Sequence, residues 1–102
     1  KAMKWGKEDV RYLKDRVEER GGLFYKFVSP GNKGVPDRIV ITPSGRVSFV
    51  EMKSSSGAPS KLQLWQIAEL KRRNCDARIL QGRDQIDRFL EEIFQEGEGG
   101  NG

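Results

Sequence analysis

Pro43-Ser44-Gly45 sits between two short runs of β-branched and aromatic residues, Ile39-Val40-Ile41 and Val47-Ser48-Phe49-Val50. Proline and glycine this close together, between such runs, mark a tight hairpin turn. The spacing predicts antiparallel strands over Asp37–Thr42 and Arg46–Met52. Counting outward from the turn sets Thr42 near Arg46 and, five residues further, Asp37 near Glu51. The hairpin therefore carries two carboxylates to one end, with Lys53 two positions past Glu51. A period of two puts Glu51 and Lys53 on one face of the sheet and Met52 on the other.

The flanking sequence supplies the rest of a single domain. Lys7 to Arg20 reads as a helix, with Val10, Leu13 and Val17 at spacings of three and four. Gly21-Gly22 ends it, and residues 1–6 read as an irregular lead-in. Leu23–Val28 reads as a strand and Ser29–Gly34 as a loop. After a polar stretch over Ser54–Pro59, Ser60 is the expected N-cap of a helix from Lys61 to about Arg73. That helix holds Leu62, Leu64, Trp65, Ile67, Ala68 and Leu70, more apolar residues than a solvent-facing helix needs. Ala77–Leu80 reads as a short strand. Asp84–Phe94 reads as a helix that buries Ile86, Phe89, Leu90, Ile93 and Phe94. Residues 95–102 are expected to form an acidic, Gly-rich disordered tail, which leaves a domain over 7–94. The predicted class is α/β, a mixed sheet of about four strands flanked by helices.

Composition narrows the chemistry. The chain has 102 residues and a formal charge of +4. The surplus is five positive charges over residues 1–53 and three over 54–81, against four negative over 82–102. A basic surface beside the carboxylate pair favours a polyanionic substrate such as nucleic acid. The chain contains no histidine, and Cys75 is its one cysteine. That excludes histidine acid–base catalysis, an intrachain disulfide and a Cys/His zinc site. A metal here must be held by oxygen, which points to Mg²⁺ or Mn²⁺. No apolar run of membrane-spanning length is present and no signal peptide is visible, so a cytoplasmic setting is expected.

Two carboxylates and a lysine so placed suit phosphodiester hydrolysis. Asp37 and Glu51 are the candidate metal ligands, with the Met52 backbone carbonyl a third oxygen at the same strand end. The Lys53 ammonium suits the developing phosphorane charge. As bare residues, the two acids can equally be surface acids flanking a hairpin, and Lys53 a solvated edge lysine.

The string Gly34-Val35-Pro36-Asp37-Arg38, the strand end Phe49-Val50-Glu51-Met52-Lys53 and Gln63 resemble the VRR-NUC nucleases of the PD-(D/E)XK superfamily. Gly21-Gly22, Lys26 and Ser29-Pro30-Gly31 resemble the same family. The resemblance spans roughly residues 7–90 and implies a restriction-endonuclease-like fold with Mg²⁺ or Mn²⁺ as cofactor. It implies metal binding by Asp37 and Glu51, catalysis by Lys53, and Gln63 at the site. It also implies an acid on the first helix. Glu8 is the candidate, with Asp9 adjacent; the alternative is that the position falls at Gly6 and this chain lacks the acid. Compact phage and bacterial members are similar to Holliday junction resolvases and act as homodimers, whereas larger members act on flaps. The expected function is thus a divalent-metal-dependent, structure-specific endodeoxyribonuclease that cleaves Holliday junctions. A flap or nicked-duplex endonuclease and a non-catalytic DNA-binding module are the alternatives.

Branched or structured DNA is the expected partner, with Lys26, Lys33 and the cluster Lys71-Arg72-Arg73 as candidate DNA contacts. No base-reading element is visible, which favours recognition by backbone position and DNA shape. Two cuts in a junction imply a two-fold homodimer, with Trp65, Leu62 or Tyr12 as anchors.

Overall fold

The computed structural model describes the backbone of residues 2–101 and the side chains of residues 7–94. Helix α1 (Ala2–Glu19) leads into strands β1 (Leu23–Lys26), β2 (Arg38–Ile41) and β3 (Val47–Lys53). Helix α2 (Lys61–Arg72), strand β4 (Asp76–Gln81) and helix α3 (Arg83–Asn101) complete the chain. The lead-in expected over residues 1–6 and the tail expected over 95–102 fall outside the residues whose side chains are described.

The four strands form one mixed sheet in the order β1-β2-β3-β4. The first two pairings are antiparallel, as short connections require, and β3–α2–β4 is a parallel crossover. The hairpin register runs Arg38↔Val50, Ile39↔Phe49, Val40↔Ser48 and Ile41↔Val47. Below it, the Thr42 amide donates to the Arg46 carbonyl at 2.9 Å. One step beyond the last pair, the same register sets Asp37 opposite Glu51, as the outward count from the turn expects.

Strand β1 stops at Lys26 rather than Val28. Its partner runs out first: beyond Arg38 only one more bond forms, from the Phe27 amide to the Asp37 carbonyl at 2.9 Å. Pro36 has no N–H to extend the ladder. Phe27 instead meets Phe49 edge to face, with centroids 6.0 Å apart. Strand β4 begins earlier than expected, at Asp76. Ser48 donates to its carboxylate at 2.7 Å, and Arg46 and Arg78 pair with it at 3.2 and 2.8 Å.

Parity sorts the sheet into two unequal faces. Val40, Val50 and Leu80 point to one side and meet Leu13 and Val17 of α1 with Ile86, Phe89, Leu90, Ile93 and Phe94 of α3. All five apolar positions expected to be buried on α3 are buried. Each such side chain contributes about 1.5–3 kcal/mol on leaving water. The opposite face carries α2, which approaches β4 and buries Ile67 but leaves Leu62, Leu64 and Trp65 exposed. Among the described residues, no helix is long and apolar enough to cross a membrane.

Candidate active site

The site lies where β2 begins, β3 ends and α2 starts. In a sheet containing a parallel β3–β4 pair, this is the carboxyl end of those strands, the usual place for ligands. The segment before Asp37 is braced from two sides. Pro36 is fully buried. Gly34 has φ +85°, and a Cβ there would lie 2.9 Å from the Leu62 side chain and 3.0 Å from its backbone. Only glycine lets this loop sit against the first turn of α2. Gln66 reinforces the contact, donating to the Lys33 carbonyl at 3.1 Å.

Asp37 is half-exposed, its Oδ2 3.4 Å from the Arg38 guanidinium. The Met52 amide reaches its Oδ1 at 3.5 Å, across the end of the hairpin. Glu51 is different: only 6% of the residue is exposed. Its Oε2 accepts from Gln63 Nε2 at 3.0 Å and lies 3.6 Å from Lys53 Nζ. Glu51, Lys53 and Gln63 thus meet on the α2 face, while Met52 packs against the core on the other.

The helix cap holds Gln63 in place. Ser60 accepts from the Gln63 amide at 3.1 Å, and the Gln63 side-chain oxygen accepts from the Ser60 amide at 3.0 Å. This capping box uses the oxygen end of the carboxamide and aims its NH₂ at Glu51. One motif therefore starts α2 and orients a buried carboxylate. A second glutamine fixes the segment after Lys53. Gln81, opposite Lys53 in the β3–β4 register, donates to the carbonyls of Ser54 and Gly57, both at 2.6 Å.

Burial pushes the Glu51 carboxyl above its ordinary value, and the Asp37 charge adds to the effect, while Lys53 pulls it down. Each carboxylate has one cation beside it, Arg38 at Asp37 and Lys53 at Glu51, yet the two acids still repel one another across the hairpin end. Two hard-oxygen carboxylates in this state match a divalent cation. Among the described residues no group of three or more His, Cys, Asp or Glu side chains assembles. An ion here would take two carboxylates and complete its shell with backbone carbonyl and water, as Mg²⁺ commonly does.

Other expected residues are spread more widely. Lys26 pairs with Arg38 across β1–β2 and is exposed at the site end of the sheet. Lys33 is exposed on the loop packed on α2. Lys71, Arg72 and Arg73 lie roughly 15 Å further along α2, at 1.5 Å per residue. There Arg72 and Arg73 both pair with Glu69.

Glu8 is exposed and lines a hollow of about 500 Å³ formed by α1 and the start of α3, with Lys7, Arg11, Tyr12 and Arg83. It does not line the hollow of about 400 Å³ that Asp37 and Met52 share with Lys7, Val10, Arg38, Lys53 and Ser54. Gly6, the alternative position for a helix acid, lies outside the residues whose side chains are described. Lys7 and Gln81 escaped the sequence reading, as did the second role of Gln63. The spacing Ser60-x-x-Gln63 was the available signal for the last of these.

Comparison with known proteins places the chain in a family and a fold. A family model described as the VRR-NUC domain matches residues 3–84. The chain is 47% identical over 60 residues to "Putative nuclease p44" of Acyrthosiphon pisum secondary endosymbiont phage 1, a match over 59% of this chain. That match spans 64% of the phage protein's length. A solved structure described as a VRR_NUC domain superposes with a TM-score of 0.77 at 32% identity. It covers 84% of this chain and 95% of its own.

The raised Glu51 pKa has a testable sign. Its contribution to stability is fully present below about pH 4.5, the ordinary glutamate value, and is lost as pH rises through the raised folded value. Glu51→Gln removes that titration and keeps an acceptor for Gln63. In urea denaturation with EDTA, the variant should gain stability relative to the wild type from pH 4 toward neutrality. A gap independent of pH, or one moving the other way, contradicts the burial and charge assigned to Glu51.

Proposed function

This chain belongs to the VRR-NUC domain family, and from that premise we propose that it is a divalent-metal-dependent endodeoxyribonuclease acting on branched DNA. The supporting observation is the buried Glu51 carboxylate, aimed by Gln63 and Lys53 beside Asp37 at the end of the hairpin. Asp37, Glu51 and the Met52 carbonyl would hold Mg²⁺ or Mn²⁺. The chemistry such an ion supplies is a water made nucleophilic near neutral pH and a clamp on a phosphate oxygen. Gln63 holds the Glu51 carboxylate in one orientation, so no rotamer search precedes reaction. Lys53 already lies against the anionic oxygens and can turn its ammonium to the charge that builds on the phosphate. Lys26 and Lys33 flank the cleft as phosphate contacts, and Lys71, Arg72 and Arg73 would reach only DNA that continues along α2.

The substrate we favour is a Holliday junction, cut by a homodimer in the cytoplasm of a bacterial or phage-infected cell. Support for the dimer comes from where apolar surface is left uncovered. Leu23, Ile41 and Val47 form one cross-strand row, and Tyr25, Ile39 and Phe49 the next, on the face that α2 covers only in part. Leu23, Tyr25 and Val47 are exposed there, and so are Leu62, Leu64 and Trp65 on α2 itself. Exposed apolar surface gathered on one side suits a protein partner. Trp65, 56% exposed, is the best anchor. Tyr12 is a poorer one: its ring lies between the Arg16 and Arg83 guanidinium groups and its hydroxyl donates to Asp87 at 2.7 Å.

Asp37→Ala should abolish Mg²⁺- or Mn²⁺-dependent cleavage of a labelled four-way junction while leaving its binding measurable. Lys53→Ala should slow cleavage by about 10²–10³-fold with little change in the metal concentration required. Cleavage by Asp37→Ala at the wild-type rate removes the metal assignment, and a protein that binds without ever cutting is a DNA-binding module. Flap or nicked DNA cut in preference to the junction favours the single-cut reading. Light scattering at micromolar concentration should give the mass of two chains, and Trp65→Glu the mass of one. A wild-type mass of one chain, with and without DNA, excludes the dimer.

A further inference from the structure

The hollow beside Asp37 has a chemistry that the carboxylate pair does not use. Its walls include two apolar side chains, Val10 from α1 and Met52, whose own packing continues into the core. Three cations, Lys7, Arg38 and Lys53, line it against one acid, Asp37. Arg38 is held in place, donating to the Asp37 carbonyl at 2.9 Å with its ring contact on Phe24 behind it. A phosphate alone has no use for an apolar wall, and an apolar ligand has no use for three cations. A nucleotide presents a base to the first and a phosphate to the second. The volume of about 400 Å³ lies in the lower part of the range for small-ligand sites, roughly 300–1,000 Å³. That is room for one nucleotide and too little for a base pair.

We infer that this hollow receives the nucleotide adjoining the scissile phosphate, unstacked from its neighbours. The base lies against Val10 and Met52, and the phosphate on its far side turns toward Lys7. The inference rests on the nuclease reading and adds the basis of its selectivity. A base seated here cannot remain paired in the duplex. Unstacking is least costly where a nucleotide is already mismatched or single-stranded, as at a flap or a junction crossover. A chain with no base-reading element would thereby choose DNA by structure: the strand that can surrender a nucleotide is the strand that is cut.

None of the lining side chains is aromatic, so a fluorescent base placed in the hollow loses its stacking quencher. The probe is a flap DNA with 2-aminopurine on one or the other side of the cut. It is titrated with the full chain in Ca²⁺, which permits binding without turnover. Fluorescence should rise severalfold at one of the two positions and not at sites further along the strand. Val10→Trp fills the hollow and should suppress the rise. Lys7→Ala, at an exposed helix position that leaves folding intact, should raise the protein concentration needed for it by several-fold. Cleavage in Mg²⁺ with no rise at either position overturns the assignment and leaves the nuclease reading standing. A rise in Ca²⁺ with no cleavage of either the flap or a four-way junction in Mg²⁺ supports nucleotide binding in the hollow and refutes the nuclease reading.

Discussion

The register of β2 on β3 is the constraint on which the cleft depends. It places Asp37 opposite Glu51, sends Glu51 and Lys53 to the α2 face and turns Met52 into the core. A slip of β3 by one residue would exchange its faces, turning Glu51 and Lys53 toward Val40 and Leu80 and exposing Val50 and Met52. The slip is opposed by the core itself, since Val40 and Val50 are fully buried on the α1–α3 side. Packing that has nothing to do with chemistry therefore fixes which side chains face the cleft. The tight turn at Pro43-Ser44-Gly45 closes the other end, where Gly45 donates to the Thr42 carbonyl at 2.9 Å.

The two faces divide the work. One face is sealed by α1 and α3 and supplies most of the buried apolar surface of a small domain. The other carries a single helix, and that helix is tied to the site rather than to a deep core: Gln63 holds Glu51, Gln66 holds the Lys33 carbonyl, and Leu62 backs Gly34. The same thin cover leaves apolar surface open on β1, β3 and α2. The hold on the carboxylate and the open apolar surface thus have one origin, a helix that buries only Ile67.

Much of this was readable from the residues. Local signals were reliable where a turn, a cap or a period dictates the outcome: the hairpin pairing, the Ser60 cap and the five buried positions of α3. The site resisted where it depends on long-range placement. Gln81 reaches carbonyls 24 and 27 residues away, and nothing near it in sequence announces that. Glu8 and Lys7 are neighbours on a helix, yet one residue turns the side chain by about 100°; only Lys7 reaches the cleft hollow. Lys71, Arg72 and Arg73 form a sharp basic cluster in sequence, but the direction of α2 carries it away from the carboxylates. The apolar residues of α2 did not declare their sides, because the helix is apolar nearly all round and only Ile67 among them is buried.

The central claim is that Asp37 and Glu51 form one divalent-cation site. Anomalous scattering from crystals grown with Mn²⁺ tests it directly, because the ion is located without reference to any assay. We predict one strong peak per chain at coordination distance from both carboxylates, absent from crystals of Asp37→Ala. Crystals saturated with Mn²⁺ that show no peak there, with Lys53 and Gln63 still on Glu51, would contradict the account.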